Sequence, residues 1–196
     1  MRIITGKARG RKLRTLEGEA TRPTAERAKE AIFSMIQFSI EGRKILDLYA
    51  GSGQMSLEAL SRGAESAVAI DSSPDACRII KENAALCGFQ RELTVLPEKL
   101  PYALKRLRGK QFNVVFIDPP YAAGLIPATL RGLYEYRLVT GTSYVVCESS
   151  EPGDVFGADD ALSGLYNVAR QARYGAASVM LLRPVFQENK ETEDEQ

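Results

Sequence analysis

Histidine is absent from all 196 residues. That removes imidazole general bases, His-dependent triads and most zinc sites from consideration, and no metal is expected. Cysteine is scarce: Cys77, Cys87 and Cys147 are odd in number and widely spaced, the pattern of reduced cytosolic thiols rather than a disulfide framework. Long apolar runs are missing too, since none approaches the roughly 18–20 residues that span a membrane. Met1-Arg2 leads into a strand pattern instead of an apolar signal segment, so a cytoplasmic location is expected. What remains is an ordinary globular composition, 44% hydrophobic, long enough to bury a real core as one domain. No internal repeat or interdomain linker is visible.

The net charge of +1 hides an asymmetry. Arg2, Lys7, Arg9, Arg11, Lys12 and Arg14 crowd the start of the chain with no acid before Glu17, and Arg22, Arg27 and Lys29 extend the basic stretch. At the other end Glu188, Glu191, Glu193, Asp194 and Glu195 form an acidic segment poor in apolar residues, a composition that stays disordered. Without that tail the body is distinctly basic. A basic stretch is often a plain solvated face. It is also what phosphate contacts need, which give affinity and register but no base choice.

The most informative stretch is Asp118-Pro119-Pro120-Tyr121, delivered by the apolar strand Val114-Val115-Phe116-Ile117. A residue preceding proline is pushed out of helical geometry, so Asp118 and Pro119 stay extended. Two prolines remove two backbone donors and leave carbonyl oxygens facing outward. The loop tip thus presents a carboxylate, carbonyl acceptors and an aromatic ring. Such a set suits a planar base bearing an exocyclic amine, with oxygens accepting from the amine and the ring stacking on the base.

Upstream, the strand Lys44-Ile45-Leu46-Asp47-Leu48-Tyr49 runs into Gly51-Ser52-Gly53 and then a helical pattern, with Leu57, Leu60 and Ala64 on one side and Glu58 and Arg62 on the other. Glycines let the backbone pass close to a ligand with no Cβ in the way. The third glycine of a dinucleotide fingerprint is missing, Ser56 holding its place. A second strand, Ala67-Val68-Ala69-Ile70, ends in Asp71, where an acid can accept from both hydroxyls of a ribose. The competing reading of Asp71 is an N-cap for the helix after Ser72-Ser73-Pro74.

This order of motifs resembles the S-adenosylmethionine-dependent methyltransferases of the Rossmann-like class, and more closely the RsmD-type enzymes that methylate the N2 amine of a guanine in small-subunit (16S) ribosomal RNA. The similarity runs from Met1 to about Pro184. It includes Arg2-Ile3-Ile4-Thr5-Gly6, Arg9-Gly10-Arg11-Lys12-Leu13, Arg22-Pro23-Thr24 with Arg27, Glu30 and Phe33, Asp47 to Gly53, Leu57 to Ala64, the Asp118 loop and Tyr174-Gly175. The acidic-Pro-Pro-aromatic tetrapeptide is shared by amino-methyltransferases generally, whereas Arg22-Pro23-Thr24 narrows the match.

The resemblance implies that Asp118, Pro119 and Tyr121 are catalytic and that Asp47, Tyr49, Gly51, Ser52, Gly53 and Asp71 bind S-adenosylmethionine. It also implies RNA contacts by Arg2, Lys7, Arg9, Arg11, Lys12, Arg22, Thr24 and Arg27. The implied partner is 16S rRNA within a small subunit or its assembly intermediate, met by a monomer, with no membrane involved. Two positions depart from the family. The acid that binds the cofactor adenine usually follows the strand near Leu93-Thr94-Val95-Leu96, where this chain has Pro97, Glu98 and Lys99, making Glu98 the candidate. At Asp71 the family more often has glutamate.

The expected organisation is a basic β-hairpin arm over 1–20, a domain over 21–185 that the resemblance implies is the methyltransferase, and an acidic tail over 186–196. A helix is expected from about Thr24, its N-cap, to Ile40, with Ala28, Ala31, Ile32, Met35 and Ile36 facing the core. Strands are expected at 44–49, 67–71, 93–96, 113–117, 142–148, 165–173 and 176–182, and helices at 55–63, 74–87, 100–108 and 125–136. Alternation of the two implies an α/β, mainly parallel seven-stranded sheet covered on both faces. In this class the last strand is antiparallel. Three other functions fit parts of the pattern: adenine-N6 methylation of DNA or RNA, nicotinamide-dependent oxidation at the glycine turn, and catalytically idle RNA binding.

Overall fold

A computed structural model of the chain describes residues 1–16, 23–120 and 124–186. After α1 (Pro23–Met35), strands and helices alternate as β1 (Lys44–Leu48), α2 (Gln54–Ser61), β2 (Ser66–Asp71), α3 (Pro74–Cys87), β3 (Leu93–Pro97), β4 (Val114–Ile117), α4 (Ile126–Glu135) and β5 (Tyr144–Ser149). A one-turn α5 (Asp160–Ser163) precedes β6 (Tyr166–Tyr174) and β7 (Ala177–Pro184). The seven strands form one sheet in the order β3-β2-β1-β4-β5-β7-β6. The first five pair in parallel, and β7 runs antiparallel to both β5 and β6. This is the expected doubly covered sheet with an antiparallel last strand.

Two apolar layers bury its faces. One packs Ile32, Phe33, Ile36, Leu57 and Ile80 against Ile45, Phe116 and Val146, with the rings of Phe33 and Phe116 5.6 Å apart. The other packs Leu104, Leu130 and Leu133 against Leu46, Val115 and Val145. The central strands are apolar on both sides because both sides are covered, as β4 shows with four buried residues in a row. Helix ends follow local chemistry. Ser73 caps α3 by accepting from the Ala76 N–H at 3.3 Å, Pro74 opens the helix, and Gly88 closes it at φ 81°.

Several boundaries differ from expectation. The first helix stops at Met35 and continues as a 3-10 turn over Gln37–Ser39. Pro23 opens it, so Thr24 sits inside the helix and is not its N-cap. The segment read as a helix over 100–108 is a 3-10 helix, Tyr102–Leu107, hemmed between Pro101 and Gly109 and too short to repay α-helix nucleation. The turn-and-return at the amino terminus pairs at one bridge, Arg2 to Lys12, flanked by Ile3 N–H to Arg11 carbonyl and Leu13 N–H to Met1 carbonyl bonds of 3.0 Å. The acidic residues from 187 onward lie outside the described residues.

That amino-terminal segment is fastened to α2. Glu58, expected on the polar side of its helix, is fully buried. Its two carboxylate oxygens accept the Ile4 and Thr5 N–H groups at 2.7 and 3.1 Å. Arg62 donates to it at 2.8 Å, and the buried Lys29 ammonium lies 3.7 Å away while donating to the Arg2 carbonyl. Isolated charges this deep cost several kcal/mol, and this set is paired and bonded throughout. Burial still pulls the Lys29 pKa below its ordinary value, against the pull of Glu58. Gly6 is where chain meets helix: an added Cβ would stand 1.8 Å from the Ser61 carbonyl oxygen.

Candidate active site

At the carboxyl end of β4 the chain leaves the sheet with Asp118 exposed and Pro119 buried. Asp118 forms part of two hollows. One is a cleft of about 670 Å³ whose walls include Tyr49, Gly51, Asp71, Leu100, Pro119 and Leu125. The other is a recess of about 50 Å³ between Lys29, Gln54, Met55, Phe116 and Glu148. Open α/β sheets take ligands at the carboxyl ends of their strands, and the cleft is sized for a small-molecule ligand. A second large hollow, about 680 Å³, lies at the strands' amino ends beside Lys44, Ser66 and Phe112, on the side this topology does not use.

The turn after β1 is built to bring backbone to the cleft. Tyr49, Gly51 and Gly53 all have positive φ, at 63°, 53° and 75°. For Tyr49 that conformation is strained, and its hydroxyl is held 2.8 Å from the Thr129 hydroxyl. At Gly53, the left-handed N-cap of α2, a Cβ would come 3.1 Å from Ile80. Ser52 is buried beneath, its carbonyl accepting from the Asn83 amide at 2.9 Å. Beside this turn the Asp71 carboxylate accepts the Gly51 N–H at 2.9 Å and the Ser73 N–H at 2.8 Å. Asp71 is therefore not the cap of α3, a role that Ser73 fills.

Asp47 lies behind this turn, 3% exposed. One of its oxygens accepts both the N–H and the hydroxyl of Ser56, at 2.9 and 2.7 Å. Burial raises its pKa to about 7; the Ser56 hydrogen bonds oppose the rise, and the nearby Asp71 charge adds to it. Burial also raises the Tyr49 phenol and the thiols of Cys77, Cys87 and Cys147. These cysteines are thus protonated at neutral pH, which makes them poor nucleophiles.

The sequence-derived residues fall into clear groups. Asp118, Pro119, Tyr49, Gly51 and Asp71 share the cleft; Ser52 and Gly53 continue the turn from Gly51, and the buried Asp47 is bonded to Ser56. The Glu98 carboxylate pairs with Arg106, and the neighbouring Lys99 and Leu100 line the cleft. Arg2, Lys7, Arg9, Arg11, Lys12 and Arg27 are exposed. Tyr121 and Arg22 lie outside the described residues, as does the side chain of Thr24. Sequence reasoning gave no site role to Ser56, Asn83 or Glu148, and it counted Lys29 with the basic stretch although that side chain is buried. A signal existed for Lys29, a charge set among Ala28, Ile32 and Phe33 on an apolar helix face, but Asn83 gave none.

A strained glycine turn, a strand-tip acid and an Asp-Pro-Pro loop meeting in one cleft of a 3-2-1-4-5-7-6 sheet define a methyltransferase of the Rossmann-like class. A family model described as "Conserved hypothetical protein 95" matches residues 1–183. The chain is similar to Ribosomal RNA small subunit methyltransferase D of Escherichia coli, 32% identical over 149 residues that cover 76% of this chain and 74% of that one. It is also similar to the protein of that name from Haemophilus influenzae, 31% identical over 156 residues, 78% of this chain and 81% of that one. Among solved structures, the Escherichia coli protein yhhF superposes with a TM-score of 0.80 at 28% identity, covering 95% of this chain and 99% of that one. The chain belongs to this RsmD-type family.

Proposed function

We propose that this protein transfers a methyl group from S-adenosylmethionine to the exocyclic N2 amine of a guanine in small-subunit ribosomal RNA, acting as a monomer in the cytoplasm. The observation that carries the reading is Asp118 standing between the two hollows, with the glycine turn and Asp71 on one side of it. The names of the relatives, small-subunit rRNA methyltransferases, support the substrate class.

The residues fit the cofactor. The cleft offers an acid for the ribose hydroxyls and backbone unobstructed by side chains at Gly51, and Asp47, buried near the same turn, is the proposed partner of an amino group. Leu100 and Leu125 add apolar surface for a flat ring. Asp71 already accepts two N–H groups, yet its oxygens retain acceptor capacity. When bound, the sulfonium supplies an electrophilic methyl group.

The chain's own task is to prepare the amine. The target guanine leaves its stack at a cost of a few kcal/mol, less in a loop than a duplex, and Tyr121 is the proposed stacking partner. An aromatic amine is a poor nucleophile because its lone pair is delocalised into the ring. Asp118 and the Pro119 carbonyl accept its two hydrogens, favouring a more tetrahedral nitrogen whose lone pair is localised and aimed. Orientation and fixed electrostatics provide most of the acceleration. The amine becomes acidic as it is methylated, so Asp118 need not be a strong base. The exposed cations Arg2, Lys7, Arg9, Arg11, Lys12 and Arg27, with Arg22 and Thr24, are proposed to hold RNA phosphates.

Incubating the protein with tritiated S-adenosylmethionine and small ribosomal subunits from cells lacking it tests the reading. Label recovered in RNA as N2-methylguanosine supports it; label in another nucleoside, in protein alone, or none, overturns it.

A further inference from the structure

We propose that Glu148 selects guanine by accepting its N1–H while Asp118 and the Pro119 carbonyl accept the neighbouring amine. The inference rests on the guanine-N2 reading above. Ile117 on β4 pairs with Cys147 on β5 in parallel register, so Asp118 and Glu148 are the next residues on adjacent strands. Both line the recess of about 50 Å³, together with Gln54 and the buried Lys29. Lys29 is fixed by its bonds to the Arg2 carbonyl and Glu58, so that wall is rigid. The space is too small for a whole base and suits one polar edge.

That edge has a distinctive pattern. Guanine presents two donors side by side, the N2 amine and N1–H, followed by the O6 acceptor. Two carboxylates in neighbouring register match two neighbouring donors, and Glu148, half-buried, has up to about four acceptor sites to share among partners. Adenine presents its N6 amine beside N1, a bare acceptor whose lone pair meets a carboxylate unfavourably. Sites built to bond a substrate N–H discriminate against analogues lacking it, here through repulsion between the carboxylate and the bare N1 lone pair. Asp118 asks for an amine; Glu148 asks which amine.

The test uses 2-aminopurine, which keeps the N2 amine but carries an unprotonated N1 and no O6. Small-subunit RNA bearing guanine or 2-aminopurine at the mapped target is methylated by wild type, Glu148→Gln and Glu148→Ala, and kcat/KM is compared. Wild type is expected to favour guanine by at least about 100-fold. The E148Q amide can donate to a bare N1, so it should narrow that preference at least tenfold, while E148A loses guanine activity without gaining 2-aminopurine. Loss of O6 affects every variant alike and drops out of the ratio. Cofactor affinity by calorimetry, unchanged in both variants, shows that the sheet is intact. Should a variant lose it, inosine-bearing RNA, which keeps N1–H without the amine, serves as competitor for wild type. Inhibition by inosine-bearing but not 2-aminopurine-bearing RNA supports N1–H reading, and equal inhibition overturns it. An unchanged preference in a folded E148Q overturns the assignment while leaving the guanine-N2 reading standing. If wild type forms no N2-methylguanosine, that reading fails and this one with it.

Discussion

The Asp71 carboxylate accepts the Gly51 N–H at 2.9 Å, joining the tip of β2 to the turn after β1. Its other oxygen holds the Ser73 N–H at the start of α3. One side chain therefore sets the spacing of two cleft walls and is also the proposed ribose acceptor. Asp71→Ala should weaken S-adenosylmethionine binding about ten- to hundredfold by calorimetry, the range for losing charge-assisted hydrogen bonds. Asp71→Glu keeps the carboxylate and should retain most of the affinity.

Asp118 is exposed at a strand end, so its removal need not disturb the core. Asp118→Ala should lower kcat about 10²- to 10³-fold, the range for removing one group that stabilises the transition state. Cofactor affinity should stay within about threefold. Loss of both would make Asp118 a structural residue.

Asp47 links stability to pH. Its folded pKa is raised to about 7, against about 4 for an unfolded aspartate. Between those values the folded protein holds a proton that the unfolded chain has released. Its contribution is therefore full below about pH 4 and is lost as pH rises towards 7. Urea midpoints measured from about pH 4.5 to 8 should show a downward component in wild type that is missing in Asp47→Asn, whose amide oxygen can still accept from Ser56.

Gly6 and Gly10 offer a matched pair. Both have positive φ, at 87° and 81°, but a Cβ at Gly6 strikes the Ser61 carbonyl whereas at Gly10 nothing lies within 4 Å. Gly10→Ala should cost about 1–2 kcal/mol of backbone strain. Gly6→Ala should cost at least about 2 kcal/mol more by urea titration, and it should loosen RNA binding as the amino-terminal segment lifts from α2.

The basic face has a salt signature. Replacing Arg9, Arg11 and Lys12 together with alanine should weaken RNA binding across sequences. The slope of log affinity against log salt should flatten by about 0.7–0.9 for each phosphate that is no longer neutralised. An unchanged slope would make these residues plain solvated surface.

The fold is legible in the sequence because its signals are local and redundant. Four apolar residues entering Asp118, a Pro74 start with a Gly88 stop, and a Tyr174-Gly175 turn each mark an element without help from the rest. The candidate residues on strand tips and glycine turns stand out by the same kind of local signal. What escapes depends on packing between distant segments. Glu58 belongs to the polar side of α2 by periodicity and is buried because residues 2–5 fold over it, a pairing that spans 54 residues from Ile4. Glu148 gains meaning from the register of β5 against β4, which periodicity within one strand cannot supply. Position after β3 points to Glu98, and its pairing with Arg106, a partner eight residues on, is likewise beyond what periodicity supplies.

The measurement that bears most directly on the central claim is nucleoside analysis of small-subunit RNA methylated by this protein with labelled S-adenosylmethionine. The account predicts that the label elutes as N2-methylguanosine and vanishes with Asp118→Ala. Label in N6-methyladenosine would contradict the guanine assignment while keeping the loop's chemistry, and no label in RNA would contradict the account as a whole.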